Sequence, residues 1–382
     1  MMKLFVNISR LLVGALFIFS GLVKAIDPLG LAYKMQEFFE VWAADGYFKS
    51  LMNWLNNYAT GFSIFMITLE VVLGVALLIG WQKKLTTWLL FLLTLFFTFL
   101  TAFVLFSGKI RACGCFGDCI PLTPIQTFTK DIILTALIIA ILIGQKYIQP
   151  LFKKMIGGTI ILLALIGVLS LQFYVLKHLP IKDCLPYKIG NNILELRKTP
   201  ADATYDKFFY SYIYKKGAEE KEFGMDKLPD STWTFVKQAN KKLLEKGNGK
   251  VALINDFSFT TESGNDTTEA VLNQSGEYYL LFVKEFNKKE DKWYNDFKTF
   301  YANKTPTVYL VTSDVKTANE IFNNPGDFKL QIFSCDGTAI KTAARVNPTL
   351  FFMKGPVVQN KWSWTDAKNL VRNVKDTVTK TL

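Results

Sequence analysis

Three of the five cysteines lie close together, in Ala112-Cys113-Gly114-Cys115-Phe116-Gly117-Asp118-Cys119. Clustered thiols suit disulfide exchange, in which a thiolate attacks a disulfide sulfur. One glycine separates Cys113 from Cys115, so a disulfide between them would close a small strained ring and be easily reduced. Lys109 and Arg111 favour a thiolate there, Asp118 opposes it, and Cys119 is placed to resolve a mixed disulfide. Cys184, in Lys182-Asp183-Cys184-Leu185-Pro186, is the fourth candidate redox thiol, able to exchange with the cluster, and the odd count leaves at least one thiol unpaired. Cys335, beside Asp336-Gly337 at a turn, reads as structural. Two alternatives stand beside redox work. One is a disulfide that only staples the loop. The other is a metal site, for which three thiols without a nearby histidine fall short of the four ligands of a structural zinc site.

Other reactive side chains are sparse. Glu70 interrupts an apolar run, and an ionisable group at that depth is a functional candidate: it can relay a proton, bind a quinone oxygen, or orient the bundle by pairing with Lys24 or Arg10. His178, the only histidine, stands at the end of an apolar run and reads as interfacial. Asp131 reads as a helix cap.

The elements that must position these groups come from hydropathy. Half of the residues are hydrophobic and 33 are Phe, yet the second half mixes charges evenly, so the chain is a composite. Apolar runs from about Leu4 to Ile26, Thr60 to Trp81, Leu85 to Ser107, Ile132 to Ile148 and Ile156 to Leu176 are each near the roughly 20 residues that cross a bilayer. The first has no clean small-x-small cleavage site and is read as a retained helix. Between the first two, Leu29 to Asn57 mixes charges with Phe38, Phe39, Trp42, Tyr47 and Trp54, as an interfacial amphipathic segment does. The run Phe91 to Phe106 reads as lipid-facing bulk rather than a cofactor box. Placing Lys83-Lys84 and Lys146 with Lys153-Lys154 in the cytoplasm puts the N-terminus inside, and the cysteine loop and everything after Leu176 outside. These topology signals account for much of the +12 charge, and no basic stripe is interleaved with stacking aromatics, which argues against nucleic acid as a partner.

After Lys177 the periodicity predicts a helix capped at Asp230 or Ser231 and carrying Trp233, Val236, Ala239 and Leu243. Strand-like Tyr278 to Val283 then alternates with helix-like Lys292 to Tyr301, Thr307 to Val311, a helix capped near Asp314, and Leu330 to Phe333. A strand, a Gly turn and a second strand over Asn347 to Val358, then a helix capped at Ser363, close the chain, an order that argues for βαβ units ended by a hairpin.

That order resembles the thioredoxin fold over about Gly276 to Leu382. The resemblance implies a cis peptide at Pro348 in Asn347-Pro348-Thr349. Where active members of that family carry Cys-x-x-Cys this chain has Glu285-Phe286-Asn287-Lys288-Lys289, so the domain cannot run dithiol chemistry alone. In the first half, Arg10 to Lys24 with Asp27-Pro28 resembles the opening helix of DoxX-type membrane proteins. Together with the Cys-Gly-Cys-Phe-Gly loop it also resembles MauE, a family associated with maturation of a disulfide-rich enzyme subunit. A helical bundle with loop cysteines joined to an outward thioredoxin-like domain is similar in architecture to bacterial vitamin K epoxide reductase homologues, which pass electrons from thiols to quinone.

The expectation is therefore an α-helical membrane bundle followed by a soluble α/β thioredoxin-like domain. Residues 1–150 form a DoxX/MauE-like four-helix domain, 151–179 a fifth transmembrane helix, 180–275 a linker and accessory region, and 276–382 a thioredoxin-like domain without Cys-x-x-Cys. The expected place is a bacterial inner membrane, with the C-terminal domain periplasmic. The expected function is thiol–disulfide exchange through Cys113, Cys115, Cys119 and Cys184, with quinone as a candidate cofactor at Glu70, no metal, and an exported protein or envelope complex as partner. The alternative is a non-enzymatic membrane-anchored scaffold. Transport is set aside because Glu70 is taken as the one ionisable residue deep in the spans.

Overall fold

A computed structural model describes residues 2–110, 114–245, 247–286, 292–302, 307–326 and 328–367. Cys113, Arg111 and the Asn287-Lys288-Lys289 stretch lie outside the described residues.

The first half is helical: α1 (Met2–Ala25), α2 (Pro28–Ala44), α3 (Lys49–Asn57), α4 (Ala59–Ile79), α5 (Lys83–Ser107), α6 (Pro124–Ile143) and α7 (Lys154–Lys177). Of these, α1, α4, α5, α6 and α7 are long and apolar enough to cross a membrane. Their outer faces expose residues such as Leu12, Phe65, Leu92, Phe99 and Leu163, the surface a bilayer covers. Helix α1 buries Val6, Arg10, Val13, Phe17, Gly21 and Lys24, a stripe at the 3.6-residue period, against α4. Small residues let these two helices approach: a Cβ on Gly74 would stand 3.0 Å from the Gly14 carbonyl oxygen, and one on Gly21 only 2.6 Å from Val71.

The spans alternate in direction. At one end Arg10 donates to the Leu77, Leu78 and Gln149 carbonyls, and Lys83 to that of Ile148. At the other end α1 finishes beside the cysteine loop and α7 beside the second half. There His178 stacks on Tyr174 and its Nδ1 lies 2.6 Å from the Asp366 carboxylate.

The fourth span begins earlier than its hydropathy suggests. Thr123 and Gln126 form a reciprocal capping box with Pro124 in the first turn, so α6 starts there and not at Ile132. Asp131 is therefore no cap. It lies two turns into the helix, buried.

The second half opens with short α8 (Ile193–Leu196) and a three-stranded antiparallel sheet of order β2-β1-β3: β1 (Lys207–Lys216), β2 (Glu219–Gly224) and β3 (Thr234–Glu245). Strand β3 corrects the expected helix over Trp233 to Leu243. Its Phe235 stands 6.1 Å from Tyr212 and 5.8 Å from Tyr214 of β1, so cross-strand aromatic packing overrides the helix-like spacing.

After α9 (Thr268–Leu272) come β4 (Glu277–Phe282), α10 (Lys292–Ala302), β5 (Val308–Thr312), α11 (Val315–Ala318), β6 (Gln331–Ser334), α12 (Gly337–Ala343), β7 (Thr349–Lys354) and β8 (Val357–Ser363). These five strands form one sheet of order β6-β5-β4-β7-β8, with β4, β5 and β6 mutually parallel and β7 and β8 closing an antiparallel hairpin. Alternation along β4 gives it two cores. Tyr278, Leu280 and Phe282 face Tyr187, Ile193, Phe257 and Phe259, while Tyr279 and Leu281 face Phe297, Phe300, Phe322 and Trp364. Residues on both sides of the three-stranded sheet thus enter the same core. The Asn347–Pro348 peptide is cis, as the thioredoxin resemblance implies.

Candidate functional site

Two features converge at the end of the bundle that faces the five-stranded sheet. The first is a disulfide between Cys119 and Cys184, with Cα atoms 4.9 Å apart. It joins the loop between α5 and α6 to the segment that follows α7. Two of the four candidate thiols are thus paired with each other. Their bond lines a small pocket with Asp27, Asp118, Lys182 and Asp183. On its other side Cys184 and Asp118 border a cleft of about 740 Å³ that runs past Tyr33, Glu37, Lys188, Lys341 and Arg345.

The second feature is a narrow pocket of about 30 Å³ inside the bundle, lined by Leu16, Phe17, Ser20, Lys24, Glu70, Thr94, Phe97, Cys115, Phe116, Lys130, Asp131 and Leu134. Cys115 is buried in its wall, and the Cys115 carbonyl accepts a hydrogen bond from Ser20 Oγ at 3.1 Å. Glu70 pairs with Lys24, both essentially removed from solvent at 2 % and 3 % exposure, and also accepts from Ser20 Oγ. The Lys24 ammonium lies 4.9 Å from the Phe97 ring centre. Across the pocket Lys130 donates to Asp131 at 2.5 Å and lies 5.3 Å from the Phe116 ring, while Thr101 Oγ1 donates to the second Asp131 oxygen at 3.0 Å.

Sequence reasoning placed Glu70 and named Lys24 as a partner, but it passed over Lys130 and took Asp131 for a helix cap. The signal was present: an adjacent cation and anion one residue before a long apolar run. Starting the span at Ile132 hid it. The ground for setting transport aside falls with it, because four ionisable side chains face this one pocket. Phe97, read as lipid-facing, points inward.

At the junction the sheet-containing half reaches down with four cations. Arg345, between α12 and β7, pairs with Asp27 at 2.9 Å and with Asp118 at 2.5 Å. Burial works against its charge, and Asp27 and Asp118 more than offset this, so its pKa rises. Lys361 of β8 forms an ion pair with Asp183, and burial still holds its pKa below the ordinary lysine value. Lys284, which follows β4, donates to Tyr33 Oη at 3.1 Å and to the Arg345 carbonyl at 2.7 Å. Burial, with Arg345 nearby, lowers its pKa to about 8. Lys341 and Lys284 both lie within 6 Å of the Tyr33 ring centre, at 5.4 and 5.8 Å. Burial pushes the Tyr33 phenol up to about 12. Cys335 is remote from all of this, buried in the sheet core, and its thiol is pushed up to about 11 by burial.

Comparison with known proteins agrees with this division of the chain. Residues 208–246, the three-stranded sheet, match a domain of unknown function, DUF8463. Protein TlpB of Flavobacterium psychrophilum is 30% identical over 156 residues, and the chain spans about 40% of the length of that relative, as the match spans 40% of this chain. No solved structure matches. The helical half, which builds the charged pocket and carries the cysteine loop, is similar over residues 2–144 to the family of the methylamine utilisation protein MauE.

Proposed function

We propose that the protein is a membrane thiol–disulfide oxidoreductase of the bacterial envelope, with Cys119–Cys184 as the pair that meets exported client proteins. The observation that carries this reading is that disulfide itself, which stands beside a wide cleft on one side and a loop leading to Cys115 on the other. In the first step a client thiolate attacks one sulfur of the Cys119–Cys184 bond, and the second client thiol resolves the mixed disulfide. The client gains one S–S bond, and Cys119 and Cys184 take the two electrons and two protons. The two thiols then pass the electrons to a disulfide between Cys113 and Cys115, the spacing that favours a reducible bond.

The lining of the bundle pocket has the chemistry a quinone head needs, with apolar walls from Leu16, Phe17, Phe97, Phe116 and Leu134 and donors for carbonyl oxygens from the Lys24 and Lys130 ammonium groups, but its free space of about 30 Å³ is water-sized, so the helices would have to part to admit the ring. Held there, a quinone would supply the final oxidant, taking up the two electrons and two protons that the loop thiols release on returning to a disulfide. Lys24–Glu70 and Lys130–Asp131 line the same pocket as Cys115, and their pairing keeps four charges tolerable in an apolar bundle.

We assign the five-stranded sheet to a thioredoxin-like domain on its strand order and cis-proline. Lacking the dithiol, it works as a holder for the client at the cleft. The double-lysine breaks support a cytoplasmic N-terminus, which leaves this domain in the periplasm.

The test uses the full chain in nanodiscs with a reduced dithiol peptide and decylubiquinone. Quinone-dependent peptide oxidation, lost in Cys184→Ser and in Cys115→Ser, is the expected result. A Cys119–Cys184 bond that stays intact with excess peptide, and no quinol formed, would overturn it and favour the scaffold, in which the same bond only staples the loop to the segment after α7.

A further inference from the structure

Each cysteine of the disulfide is preceded by an aspartate, as Asp118-Cys119 and Asp183-Cys184, and each aspartate is held by a buried cation of the sheet-containing half. Arg345 holds Asp118 and also Asp27, and Lys361 holds Asp183. The pocket around the sulfurs therefore contains three carboxylates, from Asp27, Asp118 and Asp183, together with Lys182. Left alone, those carboxylates would oppose any thiolate formed when the bond opens. The two cations that answer them belong neither to the loop nor to the bundle. Both side chains are almost completely buried, at 6 % exposure for Arg345 and 4 % for Lys361, so solvent screens them little.

We propose that Arg345 and Lys361 are positioning residues that set the reduction potential of Cys119–Cys184 by neutralising Asp118 with Asp27, and Asp183. The domain that lacks its own dithiol tunes one that belongs to its neighbour. This rests on the reading of Cys119–Cys184 as an exchanging pair. The half-reaction is balanced: two electrons and two protons enter, the S–S bond breaks, and two thiols form, which ionise above their pKa. A cation nearby stabilises the thiolates and thus the reduced form, raising the potential. A carboxylate lowers it.

The test equilibrates the full chain in nanodiscs with dithiothreitol buffers of graded ratio and reads the thiol state of Cys119 and Cys184 by alkylation and mass spectrometry. Arg345→Gln should make the disulfide harder to reduce by about tenfold in the equilibrium constant, or about 30 mV. Asp118→Asn should make it easier by a similar factor, and the double variant should return near the parent. Lys361→Met and Asp183→Asn form the same opposed pair, and Arg345→Lys should retain most of the parent potential. The gap between Arg345→Gln and the parent should close at pH low enough that both thiols stay protonated. A merely structural bridge predicts the contrary: Arg345→Gln and Asp118→Asn break the same contact and would shift the potential in the same direction, or not at all, and either result overturns the proposal. If Arg345→Gln fails to fold, the sign of the Asp118→Asn shift decides alone. The readout needs neither client nor quinone. Opposed shifts with no peptide oxidation would sink the exchange function alone, and the reverse would sink the tuning alone.

Discussion

The bundle pocket and the junction above it both bury charged pairs, but they are wired differently. In the pocket each cation meets its anion inside one domain: Lys24 with Glu70 across α1 and α4, and Lys130 with its neighbour Asp131. At the junction Arg345 and Lys361 come from the sheet-containing half, and Asp27, Asp118 and Asp183 from the bundle and its connecting segments. The first arrangement lets the helices hold a polar pocket whatever the other half does. The second makes the electrostatics of the disulfide depend on docking.

The sharpest way to break the contrast is to remove one member of a pocket pair. Lys24→Met leaves Glu70 buried without its cation, with a cost of about 3–5 kcal/mol. Lys24→Met combined with Glu70→Leu should recover most of the loss, since both charges then leave the apolar bundle together. Thermal unfolding in detergent, followed by tryptophan fluorescence, reads both. If the single variant melts like the parent, the pocket is wet and the pair is not what holds it.

How much of this was legible in the sequence follows the same division. Long apolar runs need no partner to declare themselves, so the five spans, Glu70 and Lys24 could be read directly, and so could the strand alternation of Tyr278 to Val283 and the proline at 348. Lys130 and Asp131 were hidden because hydropathy sees a charged pair as the end of a span, whereas the Thr123–Gln126 capping box carries the helix beneath it. Strand β3 was misread because apolar residues at helical spacing say nothing about a partner strand nineteen or more residues away. The junction was invisible for a similar reason: Arg345 lies 318 positions from Asp27 and 227 from Asp118, and neither side alone has a pattern.

A second perturbation acts on the junction's covalent tie. Cys119→Ser with Cys184→Ser removes a cross-link between positions 65 residues apart, for which the expected loss is about 2–4 kcal/mol. The contrast predicts where the loss falls. Hydrogen exchange should rise around Asp27 to Gln36 and around Arg345, while the α1–α4 contact keeps its protection. Uniform loosening of the bundle would show that the two regions are one cooperative unit.

The smallest effect is the most specific. Among the described junction residues, Asp27, Asp118 and Asp183 are engaged by Arg345 and Lys361, and Lys284 crowds in beside Arg345 and Lys341 with neutral acceptors, the Tyr33 hydroxyl and a carbonyl. Its pKa, about 8 against an ordinary 10.5, means that the folded chain releases this proton before the unfolded chain does. The unfolded state therefore binds more protons between pH 8 and 10.5, and stability contributed by Lys284 rises with pH across that window. Below pH 8 both states carry the charge, and the full cost of holding it in the junction is present. Lys284→Met keeps the aliphatic stem and removes the titration. Its stability relative to the parent should be greatest near pH 7 and should shrink by about 2–3 kcal/mol by pH 10. Cys335, raised to about 11, pulls stability down above pH 9, but it does so in both chains and cancels from the difference. Parallel stability curves from pH 7 to 10 would mean that Lys284 is solvated at the junction and is not held there against neutral acceptors.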